Sequence, residues 1–318
     1  MIQLNKHQTE TNPLKFLVDW SQTMYNKGMK KLHIPVLLSE VLANLAPRRD
    51  ETYLDLTAGY GGHAESILDV TQNYKNSVLV DRDDFAVKYL TEKFPSSLKI
   101  IHADFYSAML QLLSCGETFD MILADFGVSS LQLDRPTRGF SFREDGPLDM
   151  RMDQRQSLTA SDIINKWSER DLAEIFVRYG EETPGRAQML AKEIISHRPI
   201  NSTKQLANLI AAKSKHSRIH PATRIFQAIR IVVNDELKEI EMSLPLLPKL
   251  LKPGGRVAII TFHSLEDRLV KDYFKEMSSH GEESPLSIMT KKPIVANQSE
   301  LVINPRARSA KLRVAKRN

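Results

Sequence analysis

The fold of this chain is decided by residues 54–63, Leu54-Asp55-Leu56-Thr57-Ala58-Gly59-Tyr60-Gly61-Gly62-His63. A short apolar strand here ends in a carboxylate and continues into a glycine-rich turn. Glycines suit such a turn because they adopt positive φ values and let backbone N–H groups approach a ligand without an intervening Cβ. The next apolar run ends in Asp81, at a spacing typical of an acidic side chain that binds ribose hydroxyls. The sequence therefore predicts a site for an adenosine-containing ligand.

The glycine pattern alone leaves the ligand open. Gly59-x-Gly61-x-x-Ala64 also satisfies the dinucleotide fingerprint of dehydrogenases, and an isolated glycine motif can be a tight turn that binds nothing. A nicotinamide cofactor and a ligand-free turn thus stand as alternatives at this point.

Composition narrows the class of protein. The chain has 318 residues, 42% of them hydrophobic, enough for one large domain or two modest ones. Its single cysteine, Cys115, argues against a disulfide framework or a cysteine zinc cluster. The sequence has neither a His-Glu-x-x-His helix nor a phosphate-binding loop ending in Gly-Lys-Ser/Thr, so we expect no metal. No apolar run is long enough for a membrane helix, and the start lacks the apolar region of a signal peptide. We therefore expect a cytoplasmic protein with no membrane partner.

Strand and helix patterns alternate after residue 33. Four apolar runs close on a polar residue, which predicts a parallel sheet covered by helices. These runs end at Asp55, Asp81, His102 and Asp125. The regular pattern then stops, and loop and helix signals fill residues 131–219. A helix opened by Pro221 and a strand at Val257–Ile260 restore the first pattern. We predict an appendage at 1–32, a core formed by 33–130 and 220–318, and an inserted loop-plus-helical domain at 131–219.

A set of longer blocks carries a family resemblance. Besides the Lys252-Pro-Gly-Gly-Arg256 turn, the blocks are Asp125-Phe-Gly-Val-Ser-Ser130, Arg138-Gly-Phe-Ser-Phe142, Asp145-Gly-Pro-Leu-Asp-Met-Arg-Met-Asp153, His220-Pro-Ala-Thr-Arg-Ile-Phe-Gln-Ala-Ile-Arg230, Phe262-His-Ser-Leu-Glu-Asp-Arg268 and Asn304-Pro-Arg-Ala-Arg-Ser309. Taken together, in order from about residue 33 to Arg317, they resemble the 16S ribosomal RNA cytosine N4-methyltransferase family.

The resemblance implies a fold, a reaction and a set of contacts. The fold would be a Rossmann-like class I methyltransferase core interrupted by a helical insertion domain. The reaction would be methylation of a cytidine N4 in the decoding region of small-subunit RNA, with S-adenosylmethionine as cofactor and naked RNA or the 30S particle as partner. Expected cofactor contacts are Gly59, Gly61, Gly62, His63, Asp81, Phe105, Asp125 and Gln132.

Three residues are predicted to take part in catalysis: Asp125, Ser129 and His263. Acceptors that bind the N–H groups of a cytosine amine would stabilise the charge that develops on its nitrogen. Asp125 is placed for this task or for the methionyl amine of the cofactor, which we favour. His263 would accept a proton or touch the base, although its surroundings also read as a helix cap. Methylation at cytosine C5 would need a thiolate, and Cys115 precedes the fourth strand instead of following it.

Six residues are predicted to contact RNA: Arg138, Phe140, Arg224, Arg230, Arg306 and Arg308. Phe140 beside Arg138 could stack an unpaired base or pack the insertion onto the core. Arg230 belongs to a polar stripe after Pro221 that faces RNA or the domain cleft, or is an ordinary solvated face. The C-terminal tail has no acidic residue after Leu301, which suits phosphate backbones but also an ordinary solvated terminus.

Other functions and assemblies remain open from sequence. A small-molecule methyltransferase or dehydrogenase would use the same turn, and a non-catalytic RNA-binding assembly factor could retain the fold. Intact Gly59, Gly61, Gly62, Asp81 and Asp125 argue against the latter. A homodimer is compatible with the sequence but not indicated by it.

Overall fold

The computed structural model describes residues 35–213, 220–279 and 281–318. Seven strands form one sheet: β1 Tyr53–Asp55, β2 Val78–Asp81, β3 Lys99–His102, β4 Phe119–Asp125, β5 Leu251–Thr261, β6 Leu286–Ile288 and β7 Lys311–Arg317. Their order is β3-β2-β1-β4-β5-β7-β6. The strands β1 to β5 pair in parallel, whereas β7 runs antiparallel between β5 and β6. The predicted α/β fold is confirmed, and the first four strands end where the sequence predicted.

Fourteen α-helices are described: α1 Leu38–Leu45, α2 Gly62–Thr71, α3 Asp84–Lys93, α4 Phe105–Ser114, α5 Ser130–Asp134, α6 Ala160–Lys166, α7 Glu169–Arg178, α8 Pro184–Ser196, α9 Thr203–Ala212, α10 Ala222–Asn234, α11 Glu236–Ser243, α12 Leu247–Leu250, α13 Ser264–Met277 and α14 Gln298–Ile303. Leu37 adopts a left-handed conformation directly ahead of α1. None of the helices in these ranges is long and apolar enough to span a bilayer.

Both faces of the sheet are covered. Buried side chains of α1, α2 and α3 pack on one face, and those of α4, α11, α12 and α13 pack on the other. Successive side chains of a strand point to opposite faces of the sheet. On β1, Tyr53 therefore packs in the core on the first face and Leu54 in the core on the second. This arrangement brings the carboxyl ends of β1, β2 and β4 to one edge, where ligands of such sheets bind.

The insertion has a hydrophobic core of its own. It is built from α6, α7, α8 and α9 together with buried residues of the loop 139–152. The helix α10, which we had assigned to the methyltransferase core, packs mainly here: Ile225, Phe226 and Ile229 all belong to the insertion's cluster. The insertion's hydrophobic core extends past the predicted boundary at residue 219, because the apolar face of α10 packs in it. The predicted appendage at 1–32 lies outside the described residues.

The C-terminal tail is a strand and not a solvated extension. Its last residues form β7, in which Leu312, Val314 and Ala315 are buried between β5 and β6. Arg313 lies within the fold, where Nε donates to Asp267 Oδ1 of α13 over 2.6 Å. Lys311 contacts the other oxygen of Asp267 at 3.1 Å. The alternating apolar and basic residues of the tail thus form a strand, and its basic residues Lys311 and Arg313 bind a carboxylate of α13.

Removing the Asp267 carboxylate is expected to destabilise the protein. The variant Asp267→Ala leaves the guanidinium of Arg313 buried without its partner, so the free energy of unfolding should fall by about 3 kcal/mol. The matched control is Asp272→Ala on the same helix, whose carboxylate is exposed beside Lys271 and should contribute less than about 0.5 kcal/mol. Urea denaturation followed by circular dichroism measures both. Equal midpoints for the two variants would contradict the structural role of β7.

Candidate functional site at the carboxyl edge of the sheet

The glycine turn has the conformation that the sequence predicted. Gly59 and Gly61 have φ values of 55° and 70°, in the left-handed region that favours glycine. A Cβ on Gly61 would also lie 2.6 Å from a ring carbon of Phe94. Gly62 is needed for a different reason, since its Cβ would lie 2.5 Å from Pro35. Phe94 and Pro35 therefore pack closely against the turn, and the backbone of the turn lines the site.

Acidic side chains at the strand ends organise this turn. Asp81 Oδ2 accepts the Gly59 N–H at 2.7 Å, which ties β2 to the turn after β1. Asp55 accepts the Tyr53 hydroxyl at 2.7 Å and the Thr57 N–H at 3.1 Å. The Thr57 hydroxyl in turn accepts the Asp125 N–H at 2.6 Å. These contacts bring Asp55, Asp81 and Asp125 together on adjacent strands.

The acidic side chains of the site favour a positively charged ligand. Burial raises the pKa of Asp55 to about 7 and that of Asp81 to about 6. Burial, with the nearby charges of Asp55 and Glu266, raises the pKa of Asp125 well above its usual range. Carboxylates gathered in this way favour a positively charged ligand.

Cofactor affinity is expected to fall with acidity. In the free protein Asp55 and Asp81 take up protons as the pH drops through about 7 and about 6. A bound cation favours their ionised forms, so protons and cofactor compete for them. The dissociation constant of S-adenosylmethionine should rise about tenfold between pH 7.5 and pH 5.5. Calorimetry measures it, and repeating the titration in two buffers counts the protons released. A constant affinity with no proton release would contradict this assignment.

Asp125 has an oxygen that no described group satisfies. Its Oδ1 is buried and has no hydrogen-bond partner among the described residues. Its Oδ2 lies 3.9 Å from Nδ1 of His63, whose Nε2 is 2.9 Å from the carbonyl of Val36. A buried carboxylate oxygen left in this state costs free energy unless a ligand donates to it. This side chain is therefore the one most directly offered to a bound group.

Other predicted site residues occupy supporting positions. Phe105 begins α4 at the end of β3, with its ring 5.4 Å from that of Phe126. Gln132 is buried, and its Nε2 donates to Asp83 Oδ2 at 2.8 Å, so its amide is bound to the protein. Ser129 and Gln132 exchange hydrogen bonds between backbone N–H groups and side-chain oxygens. These contacts give Ser129 a role in shaping the β4 loop, and none of them supports the predicted catalytic role.

His263 caps a helix. It is the N-cap of α13, and its side chain accepts from the N–H of Glu266. Glu266 Oε2 accepts the His263 N–H at 3.2 Å, and His263 Nε2 lies 3.1 Å from Glu266 Oε1. The Nδ1 atom thus serves the helix cap, while Nε2 has no hydrogen-bond partner among the described residues, and a contact of His263 with the base stays a prediction.

A buried charge network surrounds this cap. Arg230 donates to both oxygens of Glu236, at 2.9 and 3.0 Å. Although burial alone raises the pKa of Glu266, the bonds and charges of His263 and Arg230 hold that pKa below its usual value. Glu236, His263 and Glu266 offer ligand atoms within 4.8 Å of one another, the spacing of a metal centre. Because Glu236 already binds a guanidinium on both oxygens, Arg230 provides the positive charge of this cluster.

Three of the residues predicted to contact RNA have side chains that bind or pack within the protein. Arg138 is 3% exposed and forms an ion pair with Asp83 at 2.8 Å. Phe140 is 7% exposed and belongs to the core of the insertion, so its ring has no open face for a base. Arg230 binds Glu236. The packing alternative fits Arg138 and Phe140, whereas Arg230 binds a buried carboxylate, which the sequence analysis did not predict.

Three other predicted RNA contacts lie on the surface. Arg224 is exposed on α10. Arg306 pairs with Asp134 at the end of α5. Arg308 is exposed in the 3₁₀ turn Pro305–Ser309 that precedes β7. No finding tests their contact with RNA, and the prediction stands for them.

Sequence reasoning missed several residues that hold the site together. Asp83 caps α3, and Glu239 of α11 accepts from the Phe105 N–H at 3.1 Å and from Arg82 at 2.7 Å. Asp83 could have been found, because an acidic residue just before a helix is an N-cap signal. Glu239 could not, since it lies 134 positions from Phe105.

The family is now shown by comparison with known proteins. The MraW methylase family model matches residues 30–318. The chain belongs to this family. It is therefore a methyltransferase, and S-adenosylmethionine is its methyl donor. A dehydrogenase and a non-catalytic assembly factor are thereby ruled out, in agreement with the cationic preference of the pocket.

The chain has curated relatives across nearly its whole length. It is 49% identical over 293 residues to the ribosomal RNA small subunit methyltransferase H of Trichormus variabilis, covering 90% of this chain and 92% of that protein. The protein of that name from Trichodesmium erythraeum is 47% identical over 292 residues, covering 90% and 99%. Among solved structures, an rRNA methylase from Streptococcus thermophilus is a distant match with a TM-score of 0.41 and 10% identity, covering 90% of this chain and 99% of that one.

Proposed function

We propose that this methyltransferase modifies small-subunit ribosomal RNA at the N4 amine of a cytidine in the decoding region, on naked RNA or on the 30S particle. Support for the RNA comes from relatives such as that of Trichormus variabilis, which are named for the small-subunit RNA. Support for an amine target comes from the orphaned oxygen of Asp125, which sits at the carboxyl end of β4 and can accept an N–H.

Methylation of a ring carbon fits this chain less well. A C5 transfer needs a thiolate that adds to the base. The sole cysteine of the sequence, Cys115, is exposed and forms the C-cap of α4, before β4 begins. Helices that follow parallel strands end at the opposite edge of the sheet from the strand ends, so this thiol lies away from Asp125. An amine needs no covalent intermediate and matches the groups present.

Different residues of the site would bind different parts of the cofactor and of the base. Asp81 and the backbone of Gly59 would hold the ribose, and Asp125 would bind the methionyl ammonium or the cytosine amine. S-adenosylmethionine supplies an electrophilic methyl group when bound. The N4 nitrogen of the cytosine would form the new N–C bond as the C–S bond breaks with its electrons on sulfur, and the extra N4 proton would pass to solvent. A carboxylate aimed at that nitrogen stabilises its developing positive charge.

The deciding experiment measures methyl transfer from labelled S-adenosylmethionine to undermethylated small ribosomal subunits and, in parallel, to the naked RNA. Nucleoside mapping of the product should place the label on cytidine N4. Label on a cytidine carbon or on another nucleoside would overturn the N4 assignment. Cofactor binding without transfer to either substrate would overturn the proposed RNA.

A further inference from the structure

Asp83 is the meeting point of the cofactor site and the insertion. Its Oδ1 accepts the N–H of Phe85 at 3.0 Å and so caps α3. Its Oδ2 accepts from Gln132 and from Arg138, each at 2.8 Å. The side chains of Asp83 and Arg138 are only 5% and 4% exposed. A buried charge pair with well-formed hydrogen bonds has a defined geometry, because losing either partner leaves the other charge buried.

The network reaches the cofactor-binding carboxylate on one side. The N–H of Asp83 donates to Asp81 Oδ1 at 2.8 Å, and Asp81 Oδ2 accepts from Gly59 N–H at 2.7 Å. The acid assigned to the ribose therefore shares a hydrogen-bonded turn with the residue that binds Arg138. A ligand that bonds to Asp81 fixes this turn.

On the other side the network enters the insertion. Arg138 Nη2 donates to the carbonyls of Arg151 and Met152 at 2.9 and 3.0 Å. The Met152 N–H donates to Asn234 Oδ1 at 2.8 Å, and Asn234 Nδ2 donates to the Met150 carbonyl at 2.8 Å. Because α10 carries Asn234 and packs in the insertion's core, this segment is continuous with that domain. The planar fork of arginine lets Nη1 bind the carboxylate while Nη2 binds the two carbonyls, a geometry that the single ammonium of lysine does not reproduce.

We propose that Arg138 is a positioning residue that couples occupancy of the cofactor site to the order of the insertion domain. It touches neither cofactor nor substrate and acts through Asp83 and the carbonyls of residues 151–152. The inference rests on the assignment of Asp81 to the cofactor and does not depend on which RNA is the substrate. In the free protein the network holds the two domains together, and cofactor binding tightens both ends of it.

The test is hydrogen–deuterium exchange of the full-length protein with and without S-adenosylhomocysteine. In the wild type the ligand should slow exchange in the turn 56–63 and also in the segment 149–163. The variant Arg138→Lys keeps a charge for Asp83 but loses the fork to the carbonyls, so protection of 149–163 should fall at least about threefold. Protection of the turn and the ligand affinity should stay within about twofold, since neither involves the fork. A merely structural role would not separate these readouts.

Two further variants complete the design. Asp83→Asn retains an N-cap for α3 and should also uncouple the two segments, which covers the case in which Arg138→Lys does not fold. Arg155→Gln removes an exposed pair with Asp153 in the same loop and should behave as wild type. Protection of 149–163 that persists in Arg138→Lys or Asp83→Asn would overturn the inference, as would wild-type protection confined to the turn. A wild-type protein that binds no ligand would instead overturn the cofactor assignment, and this inference with it.

Discussion

Replacing Asp125 with asparagine is expected to reduce methyl transfer about 100-fold at cofactor concentrations below KM. The substitution preserves the shape of the side chain and removes the charge, while the orphaned position of Oδ1 keeps a dipole in place of an anion. Steady-state kinetics with labelled S-adenosylmethionine and small ribosomal subunits measures the loss. Saturating cofactor then separates the two roles, because full recovery assigns the carboxylate to the methionyl ammonium and a persistent deficit assigns it to the N4 amine.

The control for Asp125 is Glu117→Gln. Glu117 is exposed in the turn just before β4, so its charge lies far from the carboxyl edge of the sheet. The Glu117→Gln enzyme should be as active as the wild type. An Asp125→Asn enzyme with wild-type kcat/KM for the cofactor would refute both roles.

Replacing Asp81 with alanine is expected to raise the dissociation constant of S-adenosylmethionine about 100-fold. Two charge-assisted hydrogen bonds to ribose hydroxyls contribute about 3 kcal/mol, which corresponds to that factor. The alanine also releases the Gly59 N–H, whose 2.7 Å bond to Asp81 orients the turn. Calorimetry measures the affinity, and kcat at saturating cofactor should change much less because the ribose does not react.

The matched control for Asp81 is Asp84→Ala. Asp84 is a neighbouring acid on the same turn, but its side chain is 55% exposed beside His102. Its loss should change the dissociation constant less than about twofold, since exposed charges are screened by water and salt. Unchanged cofactor affinity in Asp81→Ala would refute the ribose assignment.

The strand-end acids and the glycine turn show what a local pattern can predict. Asp55, Asp81 and Asp125 each follow a short apolar run, and parallel strands of a doubly wound sheet bring such ends to one edge. That reasoning predicts where the cofactor site lies without knowledge of any distance. Gln132 was implied by the family resemblance and not by this pattern, and its amide binds Asp83.

Three arginines show why the partner of a charged side chain could not be predicted from its neighbours in the sequence. Arg138, Arg230 and Arg313 look alike in sequence, as basic residues beside aromatic or apolar ones. The structure gives each a buried carboxylate: Asp83, Glu236 and Asp267. These partners lie 55, 6 and 46 positions away, so in two of the cases only the folded chain brings the pair together. Whether an arginine binds RNA or an internal carboxylate depends on that partner.

The sequence by itself determined the α/β sheet, the glycine turn, the acids at the strand ends and the family, because these depend on periodicity and on residues adjacent in the chain. Only the folded chain shows that α10 packs in the core of the insertion and that the basic tail is the strand β7. It also shows that Asp125 Oδ1 has no partner among the described residues. Such properties follow from burial and from contacts between distant segments, and these arise only when the chain has folded.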